Sequence, residues 1–276
     1  MKSLLSKWNH RRRWWSKSKR VSKRVGHDSK APDAPSLAEV QALLAQFAPL
    51  DCSLPLRRIG PDNDGGYLVP DDLEGIEALF SPGVSETLGF DLEIAKLGIP
   101  AHLADASVSR PRDLAENMTF TKSFIGAEDA GLFLKMETWV NRHAPGASDL
   151  LLQMDIEGAE YDVLPVISDP LLQRFRIILL EIHDLHRVFE RSSFDKIKAT
   201  VERLNKTHQI CHVHANNTAP YYRLGDHLVP PVIELSYLRK DHLPKQQLQP
   251  AKYPHPLDQI NEAKLPDPGT TKFWIP

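Results

Sequence analysis

At 276 residues, with 41% hydrophobic and 25% charged side chains and a formal net charge of −2, the chain fits one generous globular domain plus extensions and excludes collagenous, low-complexity and disulfide-dense classes. No apolar run approaches the roughly 18 residues of a membrane-crossing helix. The only cysteines, Cys52 and Cys211, sit in neither a CxxC nor a CxxH pattern. That argues against a disulfide framework or thiolate zinc site and makes a reducing, cytoplasmic setting the default expectation.

Residues 1–35 form a basic tail. Residues 1–30 hold 11 Lys or Arg against the single acid Asp28, interleaved with Trp8, Trp14 and Trp15, whereas the rest of the chain carries 23 basic and 35 acidic residues. The tail lacks the apolar stretch of a secretory signal. It reads as a disordered solvated leader, or as a peripheral contact with an anionic membrane, where each Lys or Arg adds about 1 kcal/mol and indoles favour the interface. Nonspecific nucleic-acid binding is a third reading. The acidic body argues against that one, because it repels phosphates.

From Ser36 the pattern changes. SLAEVQALLAQFAPL predicts a helix over 37–47 behind a Ser36/Glu39 capping box. RRIGPDNDGGYLVPDD follows as a Gly- and Asp-rich loop with a short strand at Tyr67-Leu68-Val69, and it is expected to cover a crevice. A calcium loop started at Asp62 fails, since Leu73 stands where an acid is required. Strands and helices then alternate. A strand over 76–83 leads to a helix over 89–98; a strand ends at Asp105; another spans 119–126; a helix spans 131–144. A fourth strand ends at Asp155 before a short helix over 158–167. A fifth strand, 174–183, precedes a long helix from Arg191. A sixth, QICHVHANN, and a seventh, 230–241, close the body. The extension 242–276 is Pro- and Gln-rich and irregular, with Phe273-Trp274-Ile275 able to dock back.

The central strands are near-continuous apolar runs, as in a parallel sheet covered by helices on both faces. Such a sheet binds ligands outside the carboxyl ends of its strands. Those ends carry Ser81 to Gly83, Asp105, Ile125-Gly126, Asp155, Glu181 to His183, and His212 to Asn217. FSPGVSETLGFD contains neither a G-x-G-x-x-G fingerprint nor a P-loop, so its glycine turn is a weak signal by itself. Asp105, about 22 residues after Gly83, is placed either to accept ribose hydroxyls or to cap the next segment. DIEGAEYD puts four carboxylates within eight residues. A helix dipole accounts for Glu160 and Asp162, leaves Glu157 between, and does not account for Asp155. Period-2 alternation sets Glu181 and His183 on one side, and likewise His212 and His214. Asp155, Glu181, His183 and His214 are therefore the candidate catalytic set, as acid–base groups or as ligands of a divalent metal, between which spacing does not choose.

LLLQMDIEGAEYDVL resembles the signature of FkbM-type methyltransferases, whose fourth strand ends in D-x-E-G-x-E; Asp155, Glu157, Gly158 and Glu160 match it by position. RIGPDNDGGYLV and FSPGVSETLGFDLEIAKLG resemble parts of a subgroup of that family, and the likeness spans about residues 57–240. The resemblance implies an α/β class I methyltransferase (Rossmann-like) fold over 36–241: a seven-stranded sheet, the last strand antiparallel, binding S-adenosylmethionine. It also implies cofactor contacts at Ser81, Gly83, Val84, Asp105, Ile125 and Asp155. Glu86 replaces the acid that many such enzymes carry at the first strand's end, where this chain has Ser81-Pro82. O-methylation of a sugar or small-metabolite hydroxyl is the implied reaction, with His183 or His214 as base. The alternatives are a metal-dependent nucleotide-sugar transferase, for which D-I-E is a loose DxD match, and a non-catalytic binding module.

Overall fold

Strands Leu150–Met154 (β8) and Phe175–Ile182 (β9) are buried at every position, which requires cover on both faces. The computed structural model describes residues 33–84, 88–218, 221–224 and 227–265. The basic tail over 1–30, Glu86 and Phe273-Trp274-Ile275 lie outside them. Beside β8 and β9 stand Ala78–Pro82 (β3), Ala101–Ala104 (β4), Met118–Thr121 (β5), His208–Ala215 (β10) and Ile233–Arg239 (β13). The sheet runs β10-β13-β9-β8-β3-β4-β5. Strand β13 is antiparallel to both its neighbours, β9 and β10, and the other pairings are parallel. This is the expected seven-stranded α/β order, with the last strand in sequence inserted next to the edge.

One face packs under helices Leu37–Ala45 (α1), Met136–His143 (α3), Asp169–Arg174 (α5) and Arg191–Thr207 (α6), around Phe80, Trp139, Phe175 and Tyr237. The other is covered by helix Gly89–Lys96 (α2) and the hairpin Leu56–Ile59 (β1) with Tyr67–Pro70 (β2), around Leu79, Leu151, Ile177 and Leu179. The capping box forms as read: the Glu39 amide donates to Ser36 Oγ at 3.2 Å and the Ser36 amide to Glu39 Oε2 at 2.7 Å. At the amino ends of the strands Asp149 binds Arg176 at 2.8 Å and Arg239 at 2.5 Å. These two guanidiniums hold its carboxyl below the usual range against the cost of burial.

Three expectations change. The strand over 119–126 divides at Lys122-Ser123 into β5 and Phe124–Gly126 (β6), which leaves the main sheet to pair with Phe133–Lys135 (β7). The helix expected over 131–144 accordingly begins only at Met136. Asp129 fixes that start, accepting the Lys135 amide at 2.8 Å and the Thr138 hydroxyl at 2.7 Å; pairing and capping override helical spacing. Finally, Cys52 and Cys211 form a disulfide across 159 residues, with Cα atoms 5.7 Å apart. A bond between the segment before β1 and the middle of β10 leaves no local spacing pattern. Such pairs persist most readily in oxidising compartments. Among the described residues no helix is long and apolar enough to cross a membrane.

Candidate active site

Alternation along four adjacent strands collects polar groups on the hairpin-covered face at the carboxyl end of β8 and β9. The apolar residues Leu151, Ile177 and Leu179 lie on this face, and Gln153, Asp155, Glu181 and His183 continue it by period 2. Strand register then adds two more groups, because Glu234 of β13 pairs with Glu181 on one side and His214 on the other.

His183 is the centre. Its Nδ1 lies 3.2 Å from Glu160 Oε1, and its Nε2 lies 3.7 Å from Asp155 Oδ1, 3.7 Å from Glu181 Oε1 and 3.8 Å from Glu157 Oε2. The Tyr161 hydroxyl donates to the His183 carbonyl at 2.8 Å and fixes the strand end. Glu160 opens the short helix Glu160–Val163, as its position in the sequence suggested, but it is wholly buried and not a surface group. Its Oε1 accepts the Ile156 and Gly158 amides at 3.1 Å each, so it folds the DIEG turn around itself. That turn needs left-handed backbone at Glu157 (φ 57°) and Gly158 (φ 94°). Asp162 does face solvent, paired with Lys196 at 2.6 Å.

Asp155, Glu181 and His183 thus come together. His214 does not join them. It pairs through Nδ1 with Glu234 at 3.3 Å and stands three strands from β8, roughly 14 Å at ~4.8 Å per strand. Between the two sites lies a hydrogen-bonded bridge. Asn216 donates to Glu181 at 3.2 Å and to Asp64 at 3.3 Å, and Asn261 donates to Asp64 at 3.1 Å and to Glu234 at 2.5 Å. Asp64 comes from the covering loop, Asn261 from the C-terminal extension. His212 turns to that extension, bound to Asp258 at 2.7 Å. Asn216 fell within the expected strand end His212 to Asn217, whereas Glu160, Glu234, Asp64 and Asn261 were not legible as site residues. For Glu234 the alternation of IELSYL held the signal, but only register shows its neighbours.

The charges are crowded. Burial pushes Asp155 up to about 8, with Glu157, Glu160 and Asp64 adding to it and His183 opposing. Burial and Asp155 likewise raise Glu181. Burial works against the charged form of His183, yet Glu160, Asp155 and Glu181 together raise it well above an ordinary histidine. These groups titrate as one unit.

On the other side of β8 the expected cofactor residues divide. Gly83 has φ 92°, and a Cβ there would lie 1.5 Å from the Asp155 carbonyl oxygen; crossing of two strand ends, before any ligand, demands the glycine. Val84 is buried beside it. Ser81 is fully buried and donates to Gln153 at 2.7 Å, while Gln153 donates to the Tyr67 hydroxyl at 3.1 Å. Asp91, in the first turn of α2, is a buried acid raised by that burial to about 6. Asp105 follows β4 and accepts the Ser107 amide at 2.5 Å in a turn; no helix follows it, so it caps none. Ile125 is buried in the core from β6 and does not end a main-sheet strand.

Residues 137–207 match the family model of the methyltransferase FkbM domain. The matched span runs from α3 through β8, the DIEG turn and β9 to the end of α6, and so contains the whole His183 cluster. No curated protein matches the chain.

Proposed function

Starting from a methyltransferase of the class I fold whose His183 cluster lies within an FkbM domain, we propose that the protein moves the methyl group of S-adenosylmethionine to a hydroxyl oxygen of a sugar or small metabolite. The observation that carries this reading is Asp155. It ends β8 against the β3 turn on one side and the His183 cluster on the other, and its Oδ1 is buried without a hydrogen-bond partner. An orphaned carboxylate oxygen at a strand end is suited to a cationic or hydroxylated ligand. The β3 turn at Gly83-Val84 and the carboxylate of Asp105 suit the methionine and ribose portions of the cofactor, and Ser81 supports the turn from beneath through Gln153. When bound, S-adenosylmethionine supplies an electrophilic methyl on a sulfonium. The protein's share is alignment and removal of the acceptor's proton.

The geometry favours the His183 unit for that proton over His214. A group with its proton affinity near neutrality, such as Asp155, suits a general base. His214, oriented by Glu234, stands where it would bind the far part of an acceptor. The acidic lining, without a neighbouring Lys or Arg among the described hydrogen bonds of the cluster, suits a polyhydroxylated acceptor rather than an anionic one.

Full-length protein should gain thermal stability with S-adenosylhomocysteine, because a ligand of the native state stabilises it, and Asp105→Ala should diminish the gain. With a methyl-labelled donor and a panel of hydroxylated acceptors, the label should appear as methoxy carbon. Asp155→Asn should lower kcat by about 10²-fold or more, and His214→Ala should act mainly on the acceptor's KM. Absence of any response to S-adenosylhomocysteine, or label appearing only on nitrogen, would sink the reading.

A further inference from the structure

The buried asparagines Asn216, Asn217 and Asn261 gather beside the ends of β9, β10 and β13, and one of them differs from the others. Asn216 is saturated. Its Nδ2 donates to Glu181 and Asp64, and its Oδ1 accepts the Thr218 amide at 2.9 Å and the Thr218 hydroxyl at 2.6 Å. Asn217 also uses both ends, accepting the Glu262 amide at 2.9 Å and donating to the Glu262 and Leu265 carbonyls at 3.1 and 3.3 Å. Asn261 is 7% exposed and its Nδ2 donates to Asp64 and Glu234, but its Oδ1 is buried with no hydrogen-bond donor. Turning the amide over does not mend this, because Oδ1 would then face two carboxylate oxygens. Bonded to the same carbon as Nδ2, Oδ1 lies close to Asp64 and Glu234, and Asp64 is the solvent-exposed member of the group.

The backbone on both sides of Asn261 is fastened down. Asp258 is bound by His212 at 2.7 Å and accepts the His255 amide at 2.7 Å; Asn217 clamps Glu262 and Leu265; the Asp64 amide donates to the Asn261 carbonyl at 3.3 Å. An irregular segment anchored in this way presents its side chain preorganised, which lowers the ordering cost of binding. Glu234 stands two strands from β8, about 10 Å at ~4.8 Å per strand, so Asn261 is remote from Asp155. Both Asn261 and Asp64 lie outside the residues that match the family model. The neighbouring carboxylates already receive amide donors. The unmet group is a neutral carbonyl oxygen, and its match is a neutral O–H.

We propose that Asn261 is a specificity-determining residue, its Oδ1 accepting a hydrogen bond from a second hydroxyl of a neutral polyol acceptor, distant from the hydroxyl that is methylated. This rests on the methyl-transfer reading above and narrows its acceptor. A site built to bond an O–H strongly rejects the analogue that lacks it.

The test uses full-length protein, with and without S-adenosylhomocysteine, and the probes myo-inositol, methyl α-D-glucopyranoside, sucrose and trehalose. Binding is read by saturation-transfer-difference NMR. At least one probe should bind saturably. Asn261→Ala should weaken it by about tenfold or more, as should Asn261→Ser, which keeps a donor for the carboxylates but has no carbonyl oxygen. The exposed neighbour changed in Ile260→Ala should leave binding as it was. One monodeoxy analogue of the bound polyol should lose about tenfold in wild type and nothing further in Asn261→Ala. If the variants fail to fold, a crystal of wild type with the polyol decides: a hydroxyl oxygen should lie about 2.7 Å from Asn261 Oδ1. Absence of saturable binding, an ordered water in the hydroxyl's place, affinity unchanged in Asn261→Ala, or tighter binding of protonated D-glucosamine than of every neutral probe overturns the proposal. Polyol binding that depends on Asn261 without a response to S-adenosylhomocysteine would remove the methyl-transfer reading and keep the subsite; the reverse would remove the subsite alone.

Discussion

Glu160 and His183 are joined at 3.2 Å through a carboxylate oxygen that also accepts two amides of the turn leading away from Asp155. One buried side chain therefore sets both the strand end and the ring. Glu160→Ala would strand the Ile156 and Gly158 amides and one imidazole nitrogen in the interior. We expect a loss of roughly 3 kcal/mol in chemical denaturation. A loss under about 1 kcal/mol would mean that the turn holds itself.

Gly83 is tested by the smallest possible change. Gly83→Ala adds a methyl 1.5 Å from the Asp155 carbonyl oxygen at a φ of 92°, so β3 and β8 must separate at their ends. The expected result is at least about 2 kcal/mol of destabilisation and weaker S-adenosylhomocysteine binding. Wild-type behaviour on both counts would refute the crossing.

His208 gives stability a pH dependence. It is fully buried, its Nε2 lies 2.6 Å from the Phe175 carbonyl, and burial lowers its pKa to about 4. The unfolded chain takes up a proton near pH 6.5, which the native state resists. The contribution is therefore whole above that pH and is lost as pH falls toward 4. From about pH 7.5 to about pH 5 wild type should lose about 2 kcal/mol through this group. Denaturation curves of His208→Gln at the two values should lack that difference; an equal acid loss in the variant would assign it elsewhere, for instance to His102, also lowered to about 4.

The disulfide closes 159 residues. Chain entropy sets its worth at up to ~5 kcal/mol, so Cys52→Ser and reduction of wild type should lower stability alike. Thiol titration of unfolded, unreduced protein should find no free sulfhydryl. Two free thiols in protein purified without reductant would disprove the pairing.

The sheet was readable because its signal is dense: LLLQM and RIILLEI are near-continuous apolar runs broken only by Gln153, Arg176 and Glu181, and parallel strands buried on both faces leave little else for such runs to be. Asp155, Glu181 and His183 followed from strand ends and alternation. The failures share one cause, which is that the deciding partner lay far along the chain. The β6 break depends on β7, Cys52 depends on Cys211, and Glu160, which does open its helix, shows itself as a buried site residue only when the two amides and the ring close around it. Glu234 and His214 are neighbours only by the register of an antiparallel insertion.

Asp64 and Asn261 meet at 3.1 Å above the strand ends although 197 residues separate them. The consequence is for where this protein can be cut. A fragment trimmed after the last strand would look complete by its strand count, yet Asp64 and Glu234 would confront each other without the amide that bridges them. The smallest portion worth expressing on its own therefore begins before the hairpin and reaches past Asn261.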